Sequence, residues 1–144
     1  EYLALEVDLL LLADTTGMAN PVQVYNRLSA VLDLAKETPV GAHFHDTRGT
    51  GLANVLAAMQ AGCVHFDASV GGMGGCPFVP DATGNIDTCD LVSMLHEMDI
   101  STGIKLDSLI EVAKMATSII GRPLPSHVMK TGPLAHNPSG MDHC

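Results

Sequence analysis

Along the chain, short continuous apolar runs alternate with longer stretches whose apolar residues recur at helical spacing. Val7–Ala13 (VDLLLLA) is an apolar run ended by Asp14, the pattern of a strand covered on both faces, as parallel strands are. Asn20-Pro21 follows, an N-cap residue with proline at the first helical position. Val24, Leu28, Val31, Leu32 and Ala35 then recur on one helical face. A second strand is predicted over Val40–His45. The helix after it is expected to bury Leu52, Val55, Leu56 and Met59 and to stop at Gly62. A third strand, Val64–Val70, runs into the segment GGMGGCP. A further helix is predicted over Thr88–Met98 with Leu91, Met94, Leu95 and Met98 as its stripe. Ser108 and Glu111 have capping-box spacing for one more helix, ending near Gly121 before Pro123. From Pro125 the chain turns polar, so a domain over residues 1–124 and an irregular tail over 125–144 are expected.

Three strand–helix units in succession predict an α/β fold with a parallel sheet and right-handed crossovers. Periodicity leaves two forms open, a doubly wound sheet and a (β/α)8 barrel. A barrel takes about 250 residues, so 144 residues would supply only part of one. The first residue is Glu1 rather than Met, and the chain is expected to be a piece of a longer product.

Composition narrows the function class. Aromatics are 3% of residues, so aliphatic side chains, Met and Ala must fill the core. The formal charge of −9 disfavours nucleic acid and anionic membranes, whose phosphates it would repel. No apolar stretch reaches the roughly 20 residues that a membrane span needs. Cys63, Cys76, Cys89 and Cys144 form no C-x-x-C pair, and this sparse usage fits a reducing compartment.

Candidate chemistry gathers at the predicted strand ends. His43-Phe44-His45-Asp46 ends the second strand, and period two puts both imidazoles on one side. At the C-terminal end of a parallel strand, such a pair can chelate a divalent metal. The same pair also suits two hydrogen-bonded core histidines. Asp14 ends the first strand as a site carboxylate or a turn cap. Asp46 reads as a cap of the next helix, and His65 as structural. Asp67 is placed inside the third strand, where a buried carboxylate needs a hydrogen bond, a charge partner or a metal. Four glycines in five residues, Gly71, Gly72, Gly74 and Gly75, suit close approach of a ligand or a closing loop. Cys76, at the loop's end, is either a soft nucleophile or proton carrier, or an inert residue beside Pro77. Asn85 offers a hard amide oxygen suited to Mg²⁺ or Mn²⁺, or serves as a turn residue.

Three stretches, GAHFHDTRGTGLANVLAAMQAG, DASVGGMGGCPFVPDATGN and DLVSMLHEMDISTGI, together resemble 3-hydroxy-3-methylglutaryl-CoA (HMG-CoA) lyases. The most specific feature is the ordered set H-x-H-D-T, a glycine loop ending G-G-C-P, then A-T-G-N. Isopropylmalate and homocitrate synthases share the H-x-H strand but carry a G-E-R-x-G-N type loop. Biotin-dependent carboxyltransferases and hydroxy-oxoacid aldolases lack the loop cysteine.

The resemblance implies the last three strand–helix units of a (β/α)8 (TIM) barrel, plus a C-terminal helix. It implies His43, His45 and Asn85 as ligands of Mg²⁺ or Mn²⁺, with His43 also acting as acid/base beside the substrate hydroxyl. Cys76 would carry a proton, Asp14 would line the site, and Gly72, Gly74 and Gly75 would form the substrate loop. The implied reaction is retro-Claisen cleavage of HMG-CoA to acetyl-CoA and acetoacetate, a step of leucine degradation and ketone body metabolism. An acyl-CoA substrate follows, with a homodimer among the assemblies the parent could form. The compartment would be the bacterial cytoplasm or the mitochondrial matrix. The family's first-strand aspartate ligand and arginine have no counterpart here, so the chain alone is expected to be inactive. A related metal-dependent aldolase or Claisen-type synthase, or a non-catalytic truncated domain, are the competing expectations.

Overall fold

The computed structural model describes residues 6–75 and 84–134. In chain order the elements are β1 (Leu10–Asp14), α1 (Pro21–Ala35), β2 (Val40–Phe44), α2 (Gly51–Gln60) and β3 (His65–Asp67). A 3₁₀ turn at Val70–Gly72 follows, then α3 (Thr88–Glu97), α4 (Leu106–Ile120) and α5 (Val128–Thr131). The fold is α/β. The three strands lie in the order β1-β2-β3, all parallel.

Strand alternation sets the two faces of this sheet. Val40, Ala42 and Phe44 of β2 are buried with Val24, Leu28 and Ala35 of α1 and Val55, Ala57 and Ala58 of α2. The opposite face carries rows set by register: Leu11, Gly41 and His65, then Ala13, His43 and Asp67. Gly41 has no room for a side chain, because a Cβ there would meet Leu11 Cδ1 at 2.9 Å and His65 Cβ at 3.2 Å.

Capping explains several boundaries. Asn20 accepts from the Gln23 amide at 3.0 Å, and Gln23 Oε1 accepts from the Asn20 amide at 3.2 Å, a reciprocal box ahead of Pro21. Asp87 caps α3 by accepting from the Asp90 amide. Gly121 ends α4 in the left-handed region at φ 74°.

Four expectations need correction. β1 is not covered on both faces: Leu9 and Leu11 are 44% and 43% exposed, because the covering helices lie on the other face. α2 is rotated from its expected face. Gly51, Asn54, Val55, Ala57 and Ala58 are buried while Leu56 is exposed, since the small residues allow close packing on α1 and β2. Ser108 and Glu111 form no capping box. α4 starts three residues earlier than that box would place it, at Leu106 with Lys105 as N-cap, and Glu111 instead pairs with Lys114 at 2.8 Å. Finally, the segment after Pro125 is not irregular through residue 131. Ser126 is fully buried, Met129 joins a second cluster with Cys89, Ile110, Ala113 and Leu124, and α5 forms.

Asn20→Ala removes the side-chain half of the box before α1, leaving the backbone N–H that donates to Gln23 Oε1, and should lower unfolding stability by about 1 kcal/mol. Urea titration followed by circular dichroism, with an unchanged m-value, checks this.

Candidate active site

The row of Ala13, His43 and Asp67 ends the open face of the sheet, and His45 continues it beyond β2. His43 Nδ1 lies 2.6 Å from Asp67 Oδ1. A proton on Nδ1 shared with this carboxylate leaves Nε2 as the free lone pair and holds the ring in place, the arrangement a metal-binding histidine needs. Asp67 is more exposed than expected of a residue inside a parallel strand, with its side chain 53% accessible on the open face. The His43 and His45 rings meet edge to face with centroids 5.1 Å apart.

His45 is buried, and its Nδ1 has no hydrogen-bond partner. Burial pushes its pKa below the ordinary histidine range, and the neighbouring His43 acts in the same direction. The Asp14 and Asp67 carboxylates oppose this more weakly. A neutral imidazole is the form that binds a metal.

Asn85 reaches the site through backbone pairing. It forms an isolated antiparallel bridge with His45, flanked by Asp46 N–H to Gly84 O at 2.9 Å and Ile86 N–H to Phe44 O at 3.1 Å. Its Nδ2 donates to Met73 O at 2.9 Å, while its buried Oδ1 has no partner. Six buried side-chain atoms lack a partner among the described residues, and two of them belong to His45 and Asn85. These two atoms sit on residues joined by one bridge, with hard oxygen and imidazole chemistry, so the set fits a divalent cation. Among the described residues no three His, Cys, Asp or Glu side chains converge on a metal position. Within the described residues the candidate donors here are therefore His43, His45 and the Asn85 amide.

The glycine loop packs on the protein itself. Gly74 lies at φ 112°, and a Cβ there would stand 2.6 Å from Asn85 Nδ2. Gly84 at φ 102° would place a Cβ 2.6 Å from Gly74 O. Gly72 is pressed against Pro125, whereas Gly75 has open space around it. Two of the three expected substrate-loop glycines thus make close internal contacts around Asn85. Cys76 lies outside the described residues.

Asp14 is on the helix-facing side, in register with Phe44, and its carboxylate accepts from the Met18 and Ala19 amides. It braces the β1–α1 loop, and its charge still reaches the His45 ring. Asp46 accepts from the Gly51 amide at 2.7 Å at the start of α2. Sequence reasoning missed a cluster beneath Asn85. Ser126 donates to the buried Asp87 carboxylate at 2.5 Å, and Asp90 accepts from the His127 and Val128 amides. Burial pushes the Asp87 carboxyl up, opposed by the Ser126 hydrogen bond. An acid pair three apart at a helix start is a capping signal, but nothing local marks Ser126 as its partner.

The sequence pattern of the HMGL-like family matches residues 3–116. The chain belongs to the HMGL-like family. It is 50% identical over 115 residues to the hydroxymethylglutaryl-CoA lyase YngG of Bacillus subtilis, covering 80% of this chain and 38% of that enzyme. The (R)-citramalyl-CoA lyase of Chloroflexus aurantiacus is 47% identical over 125 residues, covering 87% of this chain and 39% of that enzyme. An HMG-CoA lyase structure from Acinetobacter baumannii, in complex with coenzyme A and 3-methylmalate, superposes with a TM-score of 0.88 at 49% identity. That match covers 94% of this chain and 45% of the other. The chain therefore spans about two-fifths of the length of the curated relatives it matches. Relatives in this HMGL-like set act on CoA esters, and the α/β unit here matches the fold of its HMG-CoA lyase neighbours.

The two described cysteines are both buried, and burial raises both thiol pKa values; that of Cys89 moves from 9.0 to about 11, with the Asp87 and Asp90 charges adding to the effect. Both should resist iodoacetamide at pH 8 in the folded chain, as read by mass spectrometry of alkylated peptides. Above pH 9.0 the unfolded chain ionises Cys89 while the folded chain keeps the proton, so stability should fall as pH rises towards about 11. Urea titrations at several pH values should show a shallower decline for Cys89→Ala.

Proposed function

We propose that this chain is the metal-binding, C-terminal part of a (β/α)8-barrel lyase that cleaves a CoA ester, with HMG-CoA as the substrate. The observation that carries the reading is that two residues joined by a backbone bridge, His45 and Asn85, each bury a partnerless side-chain atom, Nδ1 and Oδ1, next to a histidine oriented by Asp67. His43, His45 and Asn85 would hold Mg²⁺ or Mn²⁺. Such an ion supplies Lewis acidity to substrate oxygens and makes the hydroxyl proton easier to lose.

The chain's own residues do the rest. Asp67 holds the His43 ring so that Nε2 faces the open side of the sheet, towards the substrate hydroxyl. The hydroxyl proton leaves to a base, the C–C bond breaks, and its electron pair passes to the acetyl-CoA enolate as acetoacetate forms. Cys76, following the glycine loop, returns a proton from Sγ to that enolate carbon. Asp14 keeps the β1–α1 loop in place at the rim. The reading also supposes that missing barrel strands supply the remaining ligands and the arginine, so that turnover belongs to the longer protein.

A second substrate is supported by the 47% identity to a citramalyl-CoA lyase. That substrate would be cleaved at the same bond type with a different product. Comparing kcat/KM for HMG-CoA and citramalyl-CoA in the full-length parent decides between them.

Mn²⁺ titration of the 144-residue chain, followed by the ion's electron paramagnetic resonance, tests the ligand set. His45→Ala should weaken binding by at least about tenfold, in line with the loss of a ligand or its support; unchanged binding removes His45 from the set. In the full-length parent, Cys76→Ala should cut turnover by about a hundredfold or more, the scale of general acid/base catalysis. A loss under threefold would return Cys76 to a structural role.

A further inference from the structure

Asn85 can serve as an oxygen ligand only if its amide is turned the right way round. Its backbone places it beside His45, but the choice between presenting Oδ1 or Nδ2 is made by one acceptor, Met73 O. That carbonyl belongs to the loop that follows β3, so the loop's position decides what Asn85 presents.

A segment distant in sequence holds the loop down. Gly71 and Gly72 lie at φ 69° and 66° beneath Leu124 and Pro125. A Cβ on Gly71 would stand 2.4 Å from Leu124 Cδ1, and one on Gly72 would stand 2.9 Å from Pro125 Cγ. Leu124 and Pro125 open a strap that continues through Ser126 to Val128. Asp90 ties this strap to the first turn of α3. Its carboxylate accepts from the His127 amide at 3.0 Å and the Val128 amide at 2.7 Å, and lies 2.8 Å from His127 Nδ1. Beside it, the buried Ser126 hydroxyl donates to Asp87, and Asp87 is bridged to Ser69 at the foot of the glycine turn. The strap therefore closes on the loop from above while the Ser69 pairing, Ser69 N–H to Ile86 O and Thr88 N–H to Ser69 O, secures it from below.

We infer that Asp90 is a positioning residue for Asn85. By anchoring the strap Leu124–Val128 over Gly71 and Gly72, it fixes Met73 O as the acceptor for Asn85 Nδ2 and leaves the buried Oδ1 without a partner. The hydrogen bonds of the Asp90 carboxylate go to the strap, so it acts on Asn85 through the strap and the loop. The consequence for metal binding rests on the ligand reading above; the orientation of the amide does not.

The test uses the full chain, ¹⁵N-labelled and metal-free, with Mn²⁺ as the probe. In the wild type, the Asn85 side-chain NH₂ should give two resolved, slowly exchanging amide signals, assigned by their loss in Asn85→Asp. In Asp90→Ala these protons should exchange at least tenfold faster and Mn²⁺ affinity should fall at least tenfold, while Asp90→Asn, which keeps an acceptor for the strap amides, recovers part of both. Unchanged Asn85 exchange in folded Asp90→Ala overturns the inference, because a merely stabilising role would lower the unfolding midpoint without touching that signal. If Asp90→Ala does not fold, Asp90→Asn carries the test: with one carboxylate oxygen replaced by an NH₂, the strap amides lose part of their acceptor, Asn85 exchange should quicken, and unchanged exchange overturns the inference. A wild type that binds no Mn²⁺ but whose Asn85 exchange depends on Asp90 upholds the positioning, and the ligand assignment is then read from Asn85→Ala in the full-length parent.

Discussion

Everything at the site depends on the one-sided burial of β2. Val40, Ala42 and Phe44 must leave water, and α1 and α2, together with Ile86 and the α3 residues Leu91 and Leu95, supply the apolar cluster that takes them. Alternation then commits Gly41, His43 and His45 to the other face. A slip of one residue would expose Phe44 and drive both imidazoles into the aliphatic core, where burying them without partners would cost several kcal/mol on the scale of about 1–3 kcal/mol for each orphaned polar group. The hydrophobic core thus specifies where the chemistry points. The parallel register adds Asp67 to the same row as His43 without any local signal requiring it.

Beyond β2 the chain spends stability on geometry. His45 Nδ1 and Asn85 Oδ1 are buried without partners, a state that disfavours folding by about 1–3 kcal/mol for each atom. The glycine loop adds a further entropic cost, since each of Gly71, Gly72 and Gly74 is held at positive φ. Such costs persist where the surroundings over-determine them. Here the surroundings are identifiable: Leu124 and Pro125 above the loop, Ser69 below it, and Asp90 holding the strap. The short α5 and the second apolar cluster are the mechanical counterpart of the histidine row, not an appendix to the domain.

The family relationship and the geometry bear on different questions. Identity near one half over most of the chain establishes membership of the HMGL-like family and the relation to CoA-ester lyases. It does not explain why Asn85 should present oxygen rather than nitrogen, or why a glycine must stand at position 74. Those are matters of hydrogen-bond direction and of a Cβ that would lie 2.6 Å from an amide nitrogen. The open face of the sheet leaves Leu9 and Leu11 partly exposed. It is the same face on which His43 and Asp67 stand.

Local rules were enough for features governed by neighbours in the chain. Asn20-Pro21 marked the start of α1, Gly62 and Gly121 marked helix ends, and H-x-H placed two imidazoles on one side, because capping and strand alternation act over a few residues. The same rules failed where packing chose among equivalent options. The buried face of α2 was decided by how closely Ala57 and Ala58 could approach α1 and β2. The start of α4 was decided by Leu106 joining a cluster rather than by the Ser108–Glu111 spacing. Asp90 and His127 meet across 37 positions, and Asn85 takes its orientation from Met73 across 12. Such long-range hydrogen bonds leave no period in the sequence, so the candidate ligands were legible there while the contacts that aim them existed only once the chain had folded.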